Sequence, residues 1–82
     1  MKHLLYIIYS KKINKYYIGI TGDIIEERIR RHNSNHKGFT GKTNDWEIVY
    51  TKYFENKKDA IAKEKEIKSW KSRLKIEKLI KH

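Results

Sequence analysis

A chain of 82 residues is long enough for one domain and too short for two. It contains no cysteine, which excludes disulfides and cysteine-ligated zinc and favours a cytoplasmic location. Its formal net charge of +10 favours a polyanionic partner, chiefly nucleic acid, over an anionic membrane. The apolar run near the N-terminus is too short to span a bilayer, so we expect no membrane segment.

The first two elements are predicted strands that form a hairpin. Residues 3–9 and 16–21 are rich in tyrosine and isoleucine, and a short polar segment separates them. Because side chains alternate along a strand, Tyr6, Tyr17 and Gly19 can share one face of the antiparallel pair. The hairpin therefore offers two phenols and a gap on the same surface.

Gly19 interrupts the second strand, where glycine weakens pairing or marks a close approach of other groups. We interpret it as space kept free of a side chain beside the phenols of Tyr6 and Tyr17. The alternative for the two tyrosines is an ordinary cross-strand aromatic pair, worth about 0.2–1 kcal/mol. A phenol has an unperturbed pKa of about 10, so its use as a base requires nearby positive charge.

A helix is predicted over residues 22–33, with Asp23 as its N-cap and Glu26 completing a capping box. Arg28 and His32 are four residues apart and therefore lie on one face of this helix. A guanidinium is well suited to hold phosphate oxygens, and an imidazole one turn on could donate to the same group or act as acid or base. The alternative is a solvated basic face.

A polar loop is predicted over residues 34–45, where glycines, hydroxyls, amides and basic side chains cluster. Loops of this length without secondary structure are often functional. On composition alone, we expect nucleic-acid contacts from His36, Lys37, Thr40 and Lys42.

The third strand is predicted over residues 46–54. Alternation places Trp46, Ile48 and Tyr50 on one of its faces. A helix follows, for which Asn56 is a suitable N-cap.

This second helix, predicted over residues 56–70, carries a charged residue on its core-facing stripe. The spacing of such a stripe is followed by five residues: Ala60, Ile61, Glu64, Ile67 and Lys68. Glutamate is rarely buried unless it is paired or binds a metal ion. Either Glu64 pairs with a basic residue at the edge of the stripe, or its carboxylate is aimed into a cleft.

A short third helix is predicted over residues 71–82, with Leu74, Leu79 and Ile80 facing inward. The element order is then β-β-α-β-α-α, and so short a chain must cover its sheet with helices to bury the apolar faces. We therefore predict an α+β fold in one domain, residues 1–82, with a small three-stranded, mainly antiparallel sheet flanked by helices.

The chain resembles the GIY-YIG nuclease domain in four segments, "LYIIY", "YYIGIT", "RIRRHN" and "AIAKEKEIKSW". The resemblance covers about residues 3–80 and is greatest to the small single-domain bacterial proteins of that family. The second motif is intact as "YIG". The first reads "LLY" or "LYI", so it lacks the glycine and isoleucine but keeps the tyrosine.

The resemblance implies a role for each candidate residue. Tyr6 would sit beside the nucleophilic water, and Tyr17 would help to position that water or share the role of base. The glycine of the second strand would leave the space in which phosphate and water meet these two phenols. Arg28 would hold the scissile phosphate, while His32 would assist near the phosphate or the leaving group. Glu64 would bind one Mg²⁺ or Mn²⁺ ion, since a single carboxylate suffices where water and phosphate fill the other positions.

The combined expectation is a metal-dependent endonuclease that hydrolyses DNA. The alternative is a nucleic-acid-binding module that is catalytically weak or depends on a partner, and a structural protein with incidental charge is disfavoured. Without an appended specificity domain, we expect recognition of shape, single strands or ends, or a protein partner that supplies specificity. Double-stranded, single-stranded and branched DNA, RNA, the pathway and the oligomeric state all remain open.

Overall fold

The chain folds in the predicted order β-β-α-β-α-α. A computed structural model describes residues 3–22, 24–34 and 43–81. Within these residues, no helix has the length and apolar content needed to cross a bilayer. The strands and helices are β1 (His3–Ser10), β2 (Lys15–Thr21), α1 (Ile25–His32), β3 (Glu47–Phe54), α2 (Lys57–Ser69) and α3 (Arg73–Ile80).

The sheet has the strand order β2-β1-β3, and both pairings are antiparallel. β1 is central because its sequence is a continuous apolar run, which suits a strand that is covered on both sides. All residues from Leu4 to Ile8 are buried. β2 and β3 are the edge strands, and their side chains are more exposed.

One side of the sheet, the core face, is covered by α2 and α3. Leu5 and Ile7 of β1 pack there with Ile18 of β2 and Ile67 of α2, and each is at most 7% exposed. Ala60 of α2 is fully buried, as its position on the predicted stripe requires. This face forms the main apolar core.

The prediction for α3 is partly wrong. Leu74 is 71% exposed, whereas Ile76, Leu79 and Ile80 pack against the core. These three residues have the i, i+3, i+4 spacing of one helical stripe. Leu74 precedes Ile76 by two residues, or about 200° of helix rotation, and therefore points away from the sheet.

The other side of the sheet, the α1 face, is covered by α1. Ile25 and Ile29 of this helix pack against the side of β1 that carries Tyr6. The side-chain amide of Asn33, at the C-cap of α1, makes two hydrogen bonds to the backbone just before β3. Its Oδ1 accepts a hydrogen bond from the backbone N of Trp46 at 2.7 Å, and its Nδ2 donates to the carbonyl of Trp46 at 3.2 Å.

The start of α1 differs from the prediction. The helix begins at Ile25, Ile24 occupies the N-cap position, and no side-chain hydrogen bond caps it. The predicted cap, Asp23, lies outside the described residues. The cap of α2 is as predicted, because the Asn56 side chain accepts a hydrogen bond from the backbone N of Asp59 at 2.9 Å.

The prediction that Trp46, Ile48 and Tyr50 share one face is also wrong. The β1–β3 register shifts between Ile7 and Ile8, which pair with Tyr50 and Ile48 respectively. One extra residue in β3 forms a β-bulge, which reverses the alternation beyond it. Trp46 consequently packs on the α1 face and Tyr50 on the core face.

Candidate active site

A cleft of about 520 Å³ brings together residues from two strands and two helices. It lies alongside the edge strand β2, where α1 and α2, which cover opposite faces of the sheet, both contribute side chains. Five of the candidate site residues line it: Tyr6, Tyr17, Gly19, Arg28 and Glu64.

Gly19 lies directly opposite Tyr6 in the β1–β2 ladder. A Cβ atom on this glycine would lie 2.5 Å from Tyr6 Oη and 2.7 Å from Tyr6 Cζ. Only a residue without a side chain therefore allows the phenol to lie across the neighbouring strand. The space that Gly19 leaves is filled by the Tyr6 phenol itself, and not by the open volume for phosphate and water that we expected from the sequence.

The Tyr6 phenol is hydrogen-bonded to an imidazole. Tyr6 Oη and His32 Nε2 are 2.8 Å apart, and the two residues are only 1% and 7% exposed. The His32 ring also contacts the Tyr17 ring, with 5.2 Å between their centroids. His32 thus lies behind the two tyrosines and is not among the residues that line the cleft.

Burial raises the pKa of the Tyr6 phenol above its ordinary value, and the Arg28 guanidinium beside it only partly opposes this rise. The phenol is therefore protonated at neutral pH. When His32 is neutral and carries its proton on Nδ1, Tyr6 Oη donates the hydrogen bond to Nε2. Tyr6 consequently has a proton acceptor already in contact with its oxygen.

Arg28 and the neighbouring arginines of α1 have different surroundings. Arg28 is half-buried, and its Nε is buried without a hydrogen-bond partner among the described residues. Arg30 is exposed and pairs with Glu27 at 2.7 Å. The alternative of a solvated basic face therefore holds for Arg30 but not for Arg28. Leaving a buried charged donor unsatisfied costs more than about 1–3 kcal/mol, so such a donor is expected where an anion binds.

The sequence left two arrangements open for Glu64, an ion pair with a basic residue or a position in a cleft, and the structure shows both. Its side chain is 22% exposed and lines the cleft. It also pairs with Lys68 of the next helical turn, at 3.4 Å. This pairing leaves carboxylate oxygen capacity for another ligand, because an ionised carboxylate can accept several bonds.

The donor set fits magnesium or manganese better than zinc. In the part of the chain that the structure describes, no group of three or more His, Cys, Asp or Glu side chains could hold a metal ion. Zinc requires three or four protein ligands. Mg²⁺ is commonly held by one or two carboxylates, with water and substrate phosphates completing its shell. Glu64 supplies one such carboxylate, as Mg²⁺ requires.

Two basic residues of the cleft were missed by the sequence analysis, namely His3 at the start of β1 and Lys57 at the start of α2. The chain has many basic residues, so composition alone could not distinguish these two from the others. Helical spacing could have found one of them, because Lys57 precedes Glu64 by seven residues, which is about two turns and the same face. Four further candidates, His36, Lys37, Thr40 and Lys42, lie outside the described residues.

Comparison with known proteins identifies the family of this fold. The chain matches the family model of the GIY-YIG catalytic domain over residues 2–78. It is similar to the solution NMR structure of the UPF0213 protein BH0048 from Bacillus halodurans, with a TM-score of 0.63, 30% sequence identity, and coverage of 99% of this chain and 84% of that chain. None of the curated proteins matches significantly. The chain belongs to the GIY-YIG family of nucleases.

Proposed function

We propose that this chain is a divalent-metal-dependent endonuclease that hydrolyses DNA phosphodiester bonds in the cleft beside β2. The observation that carries the proposal is that the guanidinium of Arg28, the phenol of Tyr6 and the carboxylate of Glu64 line the same cleft. A phosphodiester in this cleft would meet the positive charge of the Arg28 guanidinium. The net charge of +10 favours a polyanionic substrate as well.

Arg28 would hold the scissile phosphate. Phosphoryl transfer depends mainly on positioning and on positive charge that is already in place when the phosphate oxygens gain charge. α1 supplies such a charge on a rigid element, because Ile25 and Ile29 pack the helix against the sheet. Lys57, on the α2 side of the cleft, would contact the same or a neighbouring phosphate.

Tyr6 and His32 would remove the proton of the attacking water. The water would give its proton to Tyr6 Oη while the phenol passes its own proton to His32 Nε2. The phenol then remains neutral, which matters because burial raises its pKa and makes a free phenolate costly. Tyr17, whose ring contacts His32, would hold the imidazole in place and help to position the water.

Glu64 would hold one Mg²⁺ or Mn²⁺ ion together with water and phosphate oxygens. When bound, such an ion supplies positive charge to the phosphate and to the leaving oxygen. The position of Glu64 supports this role, because it lines the same cleft as Arg28.

A cleavage panel with two glutamate variants tests the proposal. Supercoiled plasmid, single-stranded DNA, branched DNA and RNA are each incubated with Mg²⁺ and with the parent protein, Glu64→Ala or Glu66→Ala. Glu66 is the matched control, since it lies on the same helix but is exposed and pairs with Lys63 at 3.2 Å. We expect the parent and Glu66→Ala to cut at least one DNA, and Glu64→Ala to be slower by about 10²-fold or more.

The proposal fails if the parent cuts none of these substrates, or if Glu64→Ala cuts as fast as the parent. Salt-sensitive binding of nucleic acid without cleavage would instead favour the alternative, a binding module that is catalytically weak or depends on a partner.

A further inference from the structure

A second groove, of about 410 Å³, adjoins the cleft. We call it the side groove. It shares Thr21 and Gly22 with the cleft, so the two form one continuous surface. Its own walls are largely apolar and include Ile24 and Tyr53, which are 67% and 64% exposed. Large apolar side chains exposed beside a functional site commonly mark a binding surface.

The sheet fixes the distance between this groove and the cleft. Leu4 pairs with Tyr53 on one side and with Thr21 on the other, so these three residues form a row across all three strands. The next row on the same face carries Tyr6 and Gly19. Two residues along a strand span about 7 Å. Tyr53 is also one strand away from Tyr6, a step of about 5 Å, so the two positions are about 8 Å apart. One nucleotide can span this distance.

The cleft and the side groove differ in the charge of the residues that line them. His3, Arg28 and Lys57 line the cleft, where phosphates would bind. The side groove is bordered by Glu26, which repels phosphate. A carboxylate can, however, accept a hydrogen bond from the exocyclic amino group of a base. The apolar, acid-edged groove therefore suits a nucleobase, while the basic cleft suits the backbone.

Tyr53 is the side chain best suited to receive such a base. Exposed aromatic rings beside a positively charged groove are the usual stacking platforms for single-stranded nucleic acids. A base that is paired and stacked within a duplex cannot reach the ring unless it is extruded, which is unfavourable.

We propose that the side groove binds an unpaired nucleobase, from the nucleotide next to the phosphate held by Arg28. The preferred substrates are then nucleic acids with an unstacked base at the cleavage site, such as single strands and flaps, rather than continuous duplexes. This inference rests on the proposed function of the cleft.

A binding experiment without divalent metal tests the inference separately from cleavage. The probe is a short single strand with a fluorescent adenine analogue, compared with the same strand in a perfect duplex and with a strand that has an abasic site at the labelled position. Tyr53→Ala, Tyr53→Phe and Leu74→Ala are measured beside the parent. Leu74 is the matched control, because it is 71% exposed and lies on α3, away from both grooves.

We expect the parent to bind the single strand more tightly than the duplex and to change the fluorescence of the stacked analogue. Tyr53→Ala should weaken binding of the single strand by about tenfold, within the range for one stacked base, without changing duplex binding. Tyr53→Phe and Leu74→Ala should bind as the parent does, and the abasic strand should be insensitive to Tyr53→Ala. Circular dichroism checks that each variant is folded, and Ile24→Ser provides a second variant of the groove.

Equal affinity of the parent for single strand and duplex would overturn the inference, and so would equal losses for both substrates in Tyr53→Ala. A protein that cuts DNA with Glu64 dependence but shows no effect of Tyr53→Ala and Ile24→Ser would keep the proposed function and refute the base site. A protein that binds no nucleic acid would refute both.

Discussion

The two faces of the sheet are built from alternate residues of the same strands, yet they differ in character. On the core face, Leu5 and Ile7 are enclosed by apolar side chains of α2 and α3. On the α1 face, Tyr6 and His32 are almost as deeply buried, but they are polar and hydrogen-bonded to each other. One strand, β1, thus contributes to stability through one set of residues and to the candidate site through the other.

This difference has a thermodynamic consequence. Apolar burial stabilises the fold in proportion to area, whereas a buried polar group is neutral at best unless its hydrogen bonds are made. Arg28 Nε, on the α1 face, has no such bond to any residue that the structure describes. We therefore expect substitutions of the polar site residues on the α1 face to affect cleavage mainly, and substitutions of the apolar residues on the core face to affect unfolding mainly.

The largest expected effect is that of Tyr6→Phe. Removing the hydroxyl removes the proton acceptor for water, so we expect cleavage to slow by about 10²–10⁴-fold, the range for general acid–base catalysis. The free energy of unfolding should change by only about 1 kcal/mol for the lost hydrogen bond. Cleavage kinetics and urea denaturation measure the two quantities.

The matched control is Tyr16→Phe, the same chemical change on the core face. Tyr16 Oη donates to Glu77 at 3.4 Å, at the contact between β2 and α3. Cleavage by this variant should equal that of the parent. Similar cleavage losses in both variants would break the distinction between the faces.

A substitution in the apolar core should lower the free energy of unfolding and leave the cleavage rate unchanged. Ile67 is 1% exposed, and Ile67→Ala should lower the free energy of unfolding by about 2–5 kcal/mol through lost burial and a cavity. The cleavage rate per folded molecule should be unchanged. Leu74→Ala, at an exposed position, should change stability by less than about 0.5 kcal/mol. A loss of cleavage in folded Ile67→Ala would show that the core also sets the chemistry.

Gly19→Ala should affect both properties. The added methyl group would collide with the Tyr6 phenol, and overpacking of this kind costs about 1–3 kcal/mol. The phenol must move away from His32, and a misplacement of about 1 Å can slow catalysis by about 10²-fold. The control for stability is Gly22→Ala, whose methyl group would meet nothing within 4 Å. Unchanged cleavage in Gly19→Ala would argue against a fixed phenol position.

The smallest expected effect concerns Asp45, at the end of β1 remote from the cleft. Hydrogen bonds from Ser10, at 2.5 Å, and Thr43, at 2.6 Å, lower the pKa of this carboxyl group from 3.8 to about 2. A pKa depressed by folding adds stability that is fully present above pH 3.8 and lost as the pH falls through about 2.

Asp45→Asn should therefore lose stability at neutral pH and show a weaker decline than the parent between pH 4 and pH 2. Urea denaturation across that range, with Glu47→Gln as an exposed carboxylate control, measures the difference. If the free energy of unfolding falls equally with pH in the parent and in Asp45→Asn, the lowered pKa of Asp45 is contradicted.

Much of this architecture follows from local patterns in the sequence. Alternation was sufficient to place Tyr6, Tyr17 and Gly19 on one face, and helical spacing was sufficient to place Arg28 and His32 together. Neither pattern specifies which residues pack across elements. The contact of His32 with Tyr6, instead of with the phosphate position, depends on how α1 crosses the sheet, and this is set by distant contacts such as those between Asn33 and Trp46.

Other features left no local signal. The β-bulge opposite Ile7 and Ile8 reverses the faces of β3, but the apolar sequence of this strand suits either arrangement. The exposure of Leu74 is different, because the helical spacing of Ile76 and Leu79 already excludes it from their stripe.

The most direct test of the central claim, that Arg28 holds the scissile phosphate, compares Arg28→Ala with Arg30→Ala. The two variants have the same net charge, so their long-range attraction for DNA is equally reduced. Arg30 is exposed, with 77% of its side chain accessible. We predict that Arg28→Ala cuts DNA about 10²–10³-fold more slowly than the parent, while Arg30→Ala cuts at nearly the parent rate. Equal rates for two folded variants would contradict the claim.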